Sequence, residues 1–238
     1  MSLQILFEDN HCLAVNKAAG LPTQGVALAV PSLEAQVKNY LKLRYKKPGN
    51  VYLGIPHRLD RPVSGVVLFA RNTKAARRLA EQFRRRLVAK VYWAAVEGKV
   101  WPDVGFWEDW VLKERNEARV SRAPNDTPGA RAARLRYQSL AADEECTLLE
   151  IRPETGRMHQ IRVQASARGW PVIGDSTYGS RLPFGPQGRS FRECAIALHA
   201  RHITFLHPLS YEPLTVTASP PEFWQPLRGL LPGGEQTW

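Results

Sequence analysis

Seven consecutive residues, Ser64 to Ala70 (SGVVLFA), restrict the fold of this 238-residue chain more than any other stretch. A short uninterrupted apolar run bounded by turn residues predicts a buried strand. The period changes in the residues that follow, NTKAARRLAEQFRRR: Ala76, Leu79, Ala80 and Phe83 recur at helical spacing, while Lys74, Arg77, Arg78, Arg84, Arg85 and Arg86 crowd the remaining surface. A buried strand leading directly into a cationic amphipathic helix calls for a sheet with helices packed on it. The charged side of that helix reads either as a plain solvated face or as a surface for a polyanion.

The remaining segments extend the same mixture. Ile5 to Phe7 and Cys12 to Val15 flank the turn-forming Glu8-Asp9-Asn10-His11 and predict a hairpin. Ser32 stands before Leu33, Val37, Tyr40, Leu41 and Arg44 and is the expected N-cap of a helix that ends before Pro48-Gly49. LVAKVYWAAVEGKV alternates and predicts a strand, as does CTLLEIRP, which ends at Pro153. Short strands are expected near 105–112 and 131–140. Thr155 is a candidate cap for a helix carrying Met158, Ile161, Ala165 and Arg168 and closed by Gly169. The C-terminal third returns to strands in AIALHARHITFL and LTVTA, with a last short helix starting at Pro220 or Pro221. With no internal repeat or linker, the prediction is one α+β domain over 1–238, built on a mixed, largely antiparallel sheet with flanking helices.

Charge and cysteine usage narrow the function. Lys and Arg total 33 against 22 acidic residues, and 24 of the 33 are Arg. The guanidinium fork pairs with phosphate through two hydrogen bonds, so this balance favours a nucleic-acid partner over a generally basic protein without one. Cys12, Cys146 and Cys194 are odd in number and widely spaced, which fits a reducing compartment and argues against a disulfide framework or a zinc knuckle. No apolar run approaches the ~18 residues of a membrane span. MSLQILFEDN lacks the basic flank and apolar stretch of a signal peptide, so a soluble cytoplasmic protein with no membrane partner is expected.

Several chemistries lack their residues. There is no G-x-x-x-x-G-K-[ST], no G-x-G-x-x-G after a strand, no G-x-S-x-G and no H-E-x-x-H. HRLD superficially echoes a kinase catalytic loop, but position 65 is Gly where that loop needs Asn. Of the six histidines only His199 and His202 have a spacing worth checking for metal, and they fall in a strand-like run, so no metal site is expected. A zinc deaminase would need a P-C-x-x-C segment, which is absent.

What remains is PHRLDRPVSGVVLFAR, in which Asp60 sits between Arg58 and Arg61 just before the apolar run. HRLDRPVSGVVLFAR, AKVYWAAVEG, ETGRMHQIRVQASARGWPVIGDSTYG and ALHARHITFLHP occur in an order and spacing that resemble the RluA-type pseudouridine synthase family, and ILFEDNHCLAVNKAAGLPTQ is similar to its first segment. The likeness runs from Ile5 to Phe223. It implies the pseudouridine synthase catalytic fold with a central active-site cleft, and isomerisation of uridine in RNA, ribosomal or transfer, without a cofactor.

The resemblance also implies roles. Asp60 would be the catalytic carboxylate, acting as a nucleophile on sugar or base or as a base at C2′; the likeness does not choose among these. A carboxylate in a partly buried cleft needs a nearby cation to stay ionised, and Arg157 occupies the family's partner position. Tyr92 would lie against the uracil, its hydroxyl available for proton removal from C5. Arg58 would enter the space left by the extracted base, and Ile161 would pack beside the ring unless it is ordinary core. His57, Gln160 and Arg162 would shape the cleft, and Arg84, Arg85 and Arg86 would meet phosphates. The family commonly has Pro at Ala18, Thr at Val63, Thr or Ser at Met158 and His at Gln164. The chain starts at the catalytic segment, so RNA selection is expected from that domain's own basic surface or from RNA shape, in a monomer. A non-catalytic RNA-binding or ribosome-assembly factor with the same fold is the rival reading; it would have no need of an anion facing a polyanion.

Overall fold

The computed structural model describes residues 3–25, 31–114, 120–188, 190 and 193–232. In chain order these form β1 (Gln4–Glu8), β2 (Cys12–Lys17), α1 (Leu33–Arg44), β3 (Ser64–Ala70), α2 (Thr73–Arg84), β4 (Ala89–Glu97), β5 (Val104–Lys113), β6 (Val120–Arg122), β7 (Arg131–Ala142), β8 (Cys146–Pro153), α3 (Gln160–Ser166), β9 (Leu198–Leu206) and β10 (Pro213–Thr217). The class is α+β, with a mixed, largely antiparallel sheet and few helices, as predicted. The chain divides into two compact units, Met1–Lys90 with Ala200–Pro220, and Val91–His199 with Pro221–Trp238, the divisions falling inside β4 and β9.

In the first unit the strands run in the order β1-β2-β3-β9, with β10 paired to β9. β2 and β3 are antiparallel from Cys12↔Ala70 to Lys17↔Gly65. Every residue of β3 is buried, which is why its sequence shows no alternation. Gly65 is required at its start: with φ +117°, a Cβ there would lie 2.3 Å from the carbonyl oxygen of Ala200. Ser32 caps α1 by accepting from Ala35 N–H at 3.3 Å. Asn72 caps α2 in the same way at 2.9 Å.

α2 turns a different face inward from the one its apolar residues predict. Ala75, Leu79 and Gln82 are buried, whereas Ala80 is exposed and Ala76 and Phe83 are half-buried. The reason is Gln82, whose side chain donates to Leu206 O at 2.7 Å and accepts from Leu206 N–H at 2.8 Å. A buried amide with both ends satisfied carries no desolvation penalty of note, so it takes a core position that an apolar pattern assigns to its neighbours. Leu79, fully buried beside it, contributes on the order of 2 kcal/mol.

In the second unit the order is β4-β8-β7-β5-β6, and every pair along it is antiparallel. β5 and β7 are longer than the sequence suggests, and the three-residue β6 was too short to show a pattern. α3 is shorter than predicted, starting at Gln160 after His159 in the left-handed region at φ 53°. Thr155 is not its cap; its hydroxyl donates to Gln160 Oε1 at 2.7 Å and accepts from Arg134 N–H at 2.9 Å. The expected last helix is a 3-10 segment over Glu222–Leu230 with Pro226 inside it.

Candidate active site

Asp60 lies in the first unit, half-buried on the loop that enters β3. Both chain neighbours are fixed. On one side, Thr23 Oγ1 donates to Leu59 O at 2.8 Å and accepts from Leu59 N–H at 3.1 Å. On the other, Arg61 O accepts from Gly20 N–H at 2.8 Å and from the Lys17 ammonium at 3.1 Å, and Arg61 Nε donates back to Gly20 O at 2.8 Å. A turn closes from Val63 N–H to Asp60 O at 3.1 Å. The backbone that carries the carboxylate is thus clamped before and after it, which pre-positions a reactive group on an otherwise irregular segment.

Lys17 was not singled out from sequence, and it is the buried cation of this loop. Its side chain is fully buried at the end of β2, and its three N–H groups go to the carbonyls of Ala18 at 2.9 Å, Leu21 at 2.7 Å and Arg61 at 3.1 Å. Burial draws its pKa down to about 7, with the Asp60 carboxylate opposing that fall and Arg61 adding to it. The only local signal was a Lys closing the run CLAVNK, which reads as a solvated strand end.

His57 is half-buried and stacks on Phe83, with ring centroids 4.8 Å apart at 18°. Its Nε2 accepts from Leu68 N–H at 2.9 Å. Burial, with the charge of Lys90, pushes its pKa down to about 3. Arg58, between His57 and the clamped Leu59, is exposed. Arg84, Arg85 and Arg86 are exposed at the end of α2, where Arg84 pairs with Glu81. A surface pair of this kind contributes little, so it leaves the guanidinium available to a ligand.

The second unit holds the other predicted residues. Tyr92 stands in β4 opposite Ile151 of β8 and is half-buried. Arg157 follows β8, with its Nε donating to Ala132 O at 3.0 Å. Gln160 is buried and shapes the turn that carries Arg157: its Oε1 accepts from Arg157 N–H at 3.1 Å and its Nε2 donates to Arg134 O at 2.9 Å. Ile161 is buried with 6% exposure. Arg162 has its fork on Asp175, Nε to Oδ2 at 2.6 Å and Nη2 to Oδ1 at 2.8 Å, and lies 4.9 Å over the Tyr178 ring. With both residues buried, this pair braces α3 against the 175–178 turn. Asp175 was not foreseen, since nothing in GDSTYG distinguishes it from a turn aspartate.

The histidines checked for metal do not form a ligand pair. His199 is fully buried with its ring 6.0 Å from that of Trp224, while His202 bonds Thr217 across to β10 at 2.7 Å. Three residues apart in a strand, they point to opposite faces. Asp9, Cys12 and His207 form one group with metal-capable atoms within 4.8 Å of one another. There Asp9 accepts from His11 N–H at 2.8 Å and Cys12 N–H at 2.6 Å and lies 2.7 Å from His207 Nε2, so it serves as a turn brace.

Residues 11–167 match the profile of a family described as RNA pseudouridylate synthase. A ribosomal large subunit pseudouridine synthase C of Vibrio cholerae is 34% identical over 215 residues, which are 90% of this chain and 64% of that protein. The chain therefore spans just under two thirds of that relative. A tRNA pseudouridine synthase C of the same organism is 32% identical over 245 residues, 96% of this chain and 94% of its own length. Among solved structures, human RNA pseudouridylate synthase domain containing 4 superposes with a TM-score of 0.75 at 25% identity, covering 93% of this chain and 90% of that one.

Proposed function

The chain belongs to the RNA pseudouridylate synthase family, and we propose that it is itself an RNA pseudouridine synthase, an isomerase acting on uridine in ribosomal or transfer RNA. The reaction breaks the N1–C1′ bond, rotates the uracil, forms a C5–C1′ bond and moves one proton from C5 while N1 gains one. Atoms and charge balance within the substrate, so no redox partner or cofactor is needed.

In this reading Asp60 is the catalytic carboxylate and Arg157 its countercharge. Each route open to Asp60, attack on the sugar or base or removal of the C2′ proton, requires the anion. Tyr92 lies against the uracil and serves the C5 proton. Arg58, exposed beside the clamped Leu59, fills the gap left when the uridine leaves its stack, an extraction that costs a few kcal/mol. Ile161 packs beside the base, Gln160 and Arg162 hold the turn and helix next to Arg157, and His57 lines the approach to Asp60. Arg84, Arg85 and Arg86 meet phosphates. In this reading the chain works as one catalytic domain and as a cytoplasmic monomer without a metal.

The observation that carries this reading is the double clamp on Asp60: a family-matched acid whose flanking peptides are fixed by Thr23, Lys17 and Gly20. A pure binder has no use for an anion so carefully held before a polyanion. The test is a pseudouridine map of total RNA from cells with and without the protein. Loss of defined pseudouridines in its absence supports the reading. An unchanged map, with ribosome assembly defective, would favour the assembly-factor rival.

A further inference from the structure

The hairpin between β9 and β10, in the first unit, holds its tip in a costly conformation and displays an aromatic ring there. Tyr211 has φ 61°, in the left-handed region where a side chain crowds its own backbone and glycine is the ordinary choice. Bonds on either side impose that conformation. Tyr211 N–H donates to His207 O at 2.9 Å, and His207 N–H donates to Glu212 O at 2.8 Å. The His207 ring is held in turn: its Nδ1 accepts from Ser210 N–H at 3.2 Å, and its Nε2 lies 2.7 Å from Asp9 Oδ2. One residue earlier, Gln82 of α2 engages both backbone groups of Leu206.

The ring so displayed does little for the core. Tyr211 is 56% exposed, and Leu209 on the same tip is 49% exposed. The Arg78 guanidinium of α2 lies over the ring, its carbon 5.0 Å from the centroid, and also donates to Pro208 O. An exposed cation–π pair is a weak brace, whereas glycine at this position would release the strain outright. The fold by itself gives no reason for tyrosine here, and a strained residue held by its surroundings points to a role for its side chain. The charge nearby says what that role serves. Lys74, Arg78 and Arg85 recur at intervals of four and seven and line one side of α2. From Thr73 to Arg86 there are six cations and one acid, Glu81, which is paired with Arg84; Glu212 is the exposed acid of the hairpin.

We infer that Tyr211, backed by Arg78, is a stacking platform for one unpaired base of the RNA substrate, other than the uridine on which Asp60 acts, with Lys74 and Arg85 on the adjoining phosphates. The guanidinium covers one face of the ring and fixes its plane, and the exposed side takes the base. Any base has a π face, so such a platform adds affinity without reading sequence. A rigid aromatic beside a row of cations matches a single strand, which offers bases and phosphates together. A protein partner would meet only two apolar side chains at the tip, bordered by a helix of almost unrelieved positive charge. The inference rests on the RNA-modifying reading above and adds a second point at which the strand is held.

The strain makes the test unusually clean, because stability and binding should move in opposite directions. The full chain is used with an RNA containing a uridine identified by the map, and Tm, affinity and salt slope are measured for wild type, Tyr211→Gly, Tyr211→Phe and Lys74→Met. Tyr211→Gly is expected to keep or raise Tm, since glycine suits φ 61°, and to lose about fivefold or more in affinity, one stacked base, with its salt slope unchanged. Tyr211→Phe should bind as wild type does. Lys74→Met should lower the salt slope by about 0.7, one single-strand phosphate contact. A scan of single abasic sites through the RNA should find one position that reproduces the Tyr211→Gly loss in the wild type and costs nothing further in Tyr211→Gly. Tyr211→Gly binding as tightly as wild type, or losing affinity only together with Tm, would overturn the platform. A wild type that shows the stacking pattern but makes no pseudouridine would overturn the catalytic reading instead, which keeps the two failures distinct.

Discussion

The Lys17 ammonium donates to the carbonyl of Arg61 at 3.1 Å, tying the end of β2 to the residue that follows Asp60. This contact spans 44 residues of sequence and, with the two bonds to Ala18 and Leu21, makes a buried cation the keystone of the loop that presents the carboxylate.

Replacing Lys17 with Met should therefore loosen that loop. The carbonyls of Ala18 and Leu21 lose the donor shown for them here, each a penalty of about 1–3 kcal/mol, partly offset by removing a buried charge. The expected net loss is about 2 kcal/mol in urea unfolding, with turnover falling more than tenfold. The pH dependence checks the cause. Lys17 has a folded pKa of about 7 against 10.5, so between those values the unfolded chain binds more protons and stability rises with pH. Lys17→Met should lose that rise; a variant that keeps it would assign the slope elsewhere.

His57 makes the complementary acid-side prediction. Its pKa is lowered from 6.5 to about 3, so the unfolded chain takes up the proton first, and stability falls as pH drops through that window. His57→Asn should flatten the acid limb of a stability-against-pH curve between pH 6 and 3. Above pH 6.5 the ring is neutral in both states and contributes no slope.

Much of this was readable in advance, for reasons that differ by element. β3 and β4 are runs whose composition admits little else, and the Ser32 cap is local chemistry. Asp60, Tyr92 and Arg157 stood out through five ordered segments rather than through any local pattern. What escaped was long-range. Gln82 takes a core position because Leu206 presents both backbone groups to it, and Lys17 is buried because the carbonyl of Arg61, 44 residues away, converges on it with the nearby carbonyls of Ala18 and Leu21. Asp175 declares itself only through Arg162. The Thr155 cap failed because its hydroxyl serves Gln160 and Arg134 instead.

The Arg162–Asp175 pair predicts a large stability effect separate from chemistry. Both side chains are buried, and removing one partner leaves the other charge without compensation, a loss of about 3–5 kcal/mol. Asp175→Ala should lower Tm by on the order of 10 °C in a chain of this length. A fall of only 1–2 °C would show that the pair is not a structural brace.

Arg84, Arg85 and Arg86 should act through phosphate alone. Replacing all three with Ala is expected to leave Tm nearly unchanged, because they are exposed. RNA affinity should fall and its salt slope flatten by about 0.7–0.9 per lost contact. An unchanged slope would remove the end of α2 from the interface.

The central claim is that Asp60 is a reagent, and Asp60→Asn tests it most directly, because the amide keeps the shape and removes the anion. Purified wild type and variant are incubated with RNA lacking the modification, and pseudouridine is counted by mass spectrometry while Tm and RNA affinity are recorded alongside. The account predicts no detectable pseudouridine from a variant that folds and binds RNA as the wild type does; turnover by Asp60→Asn within a few fold of wild type would contradict it.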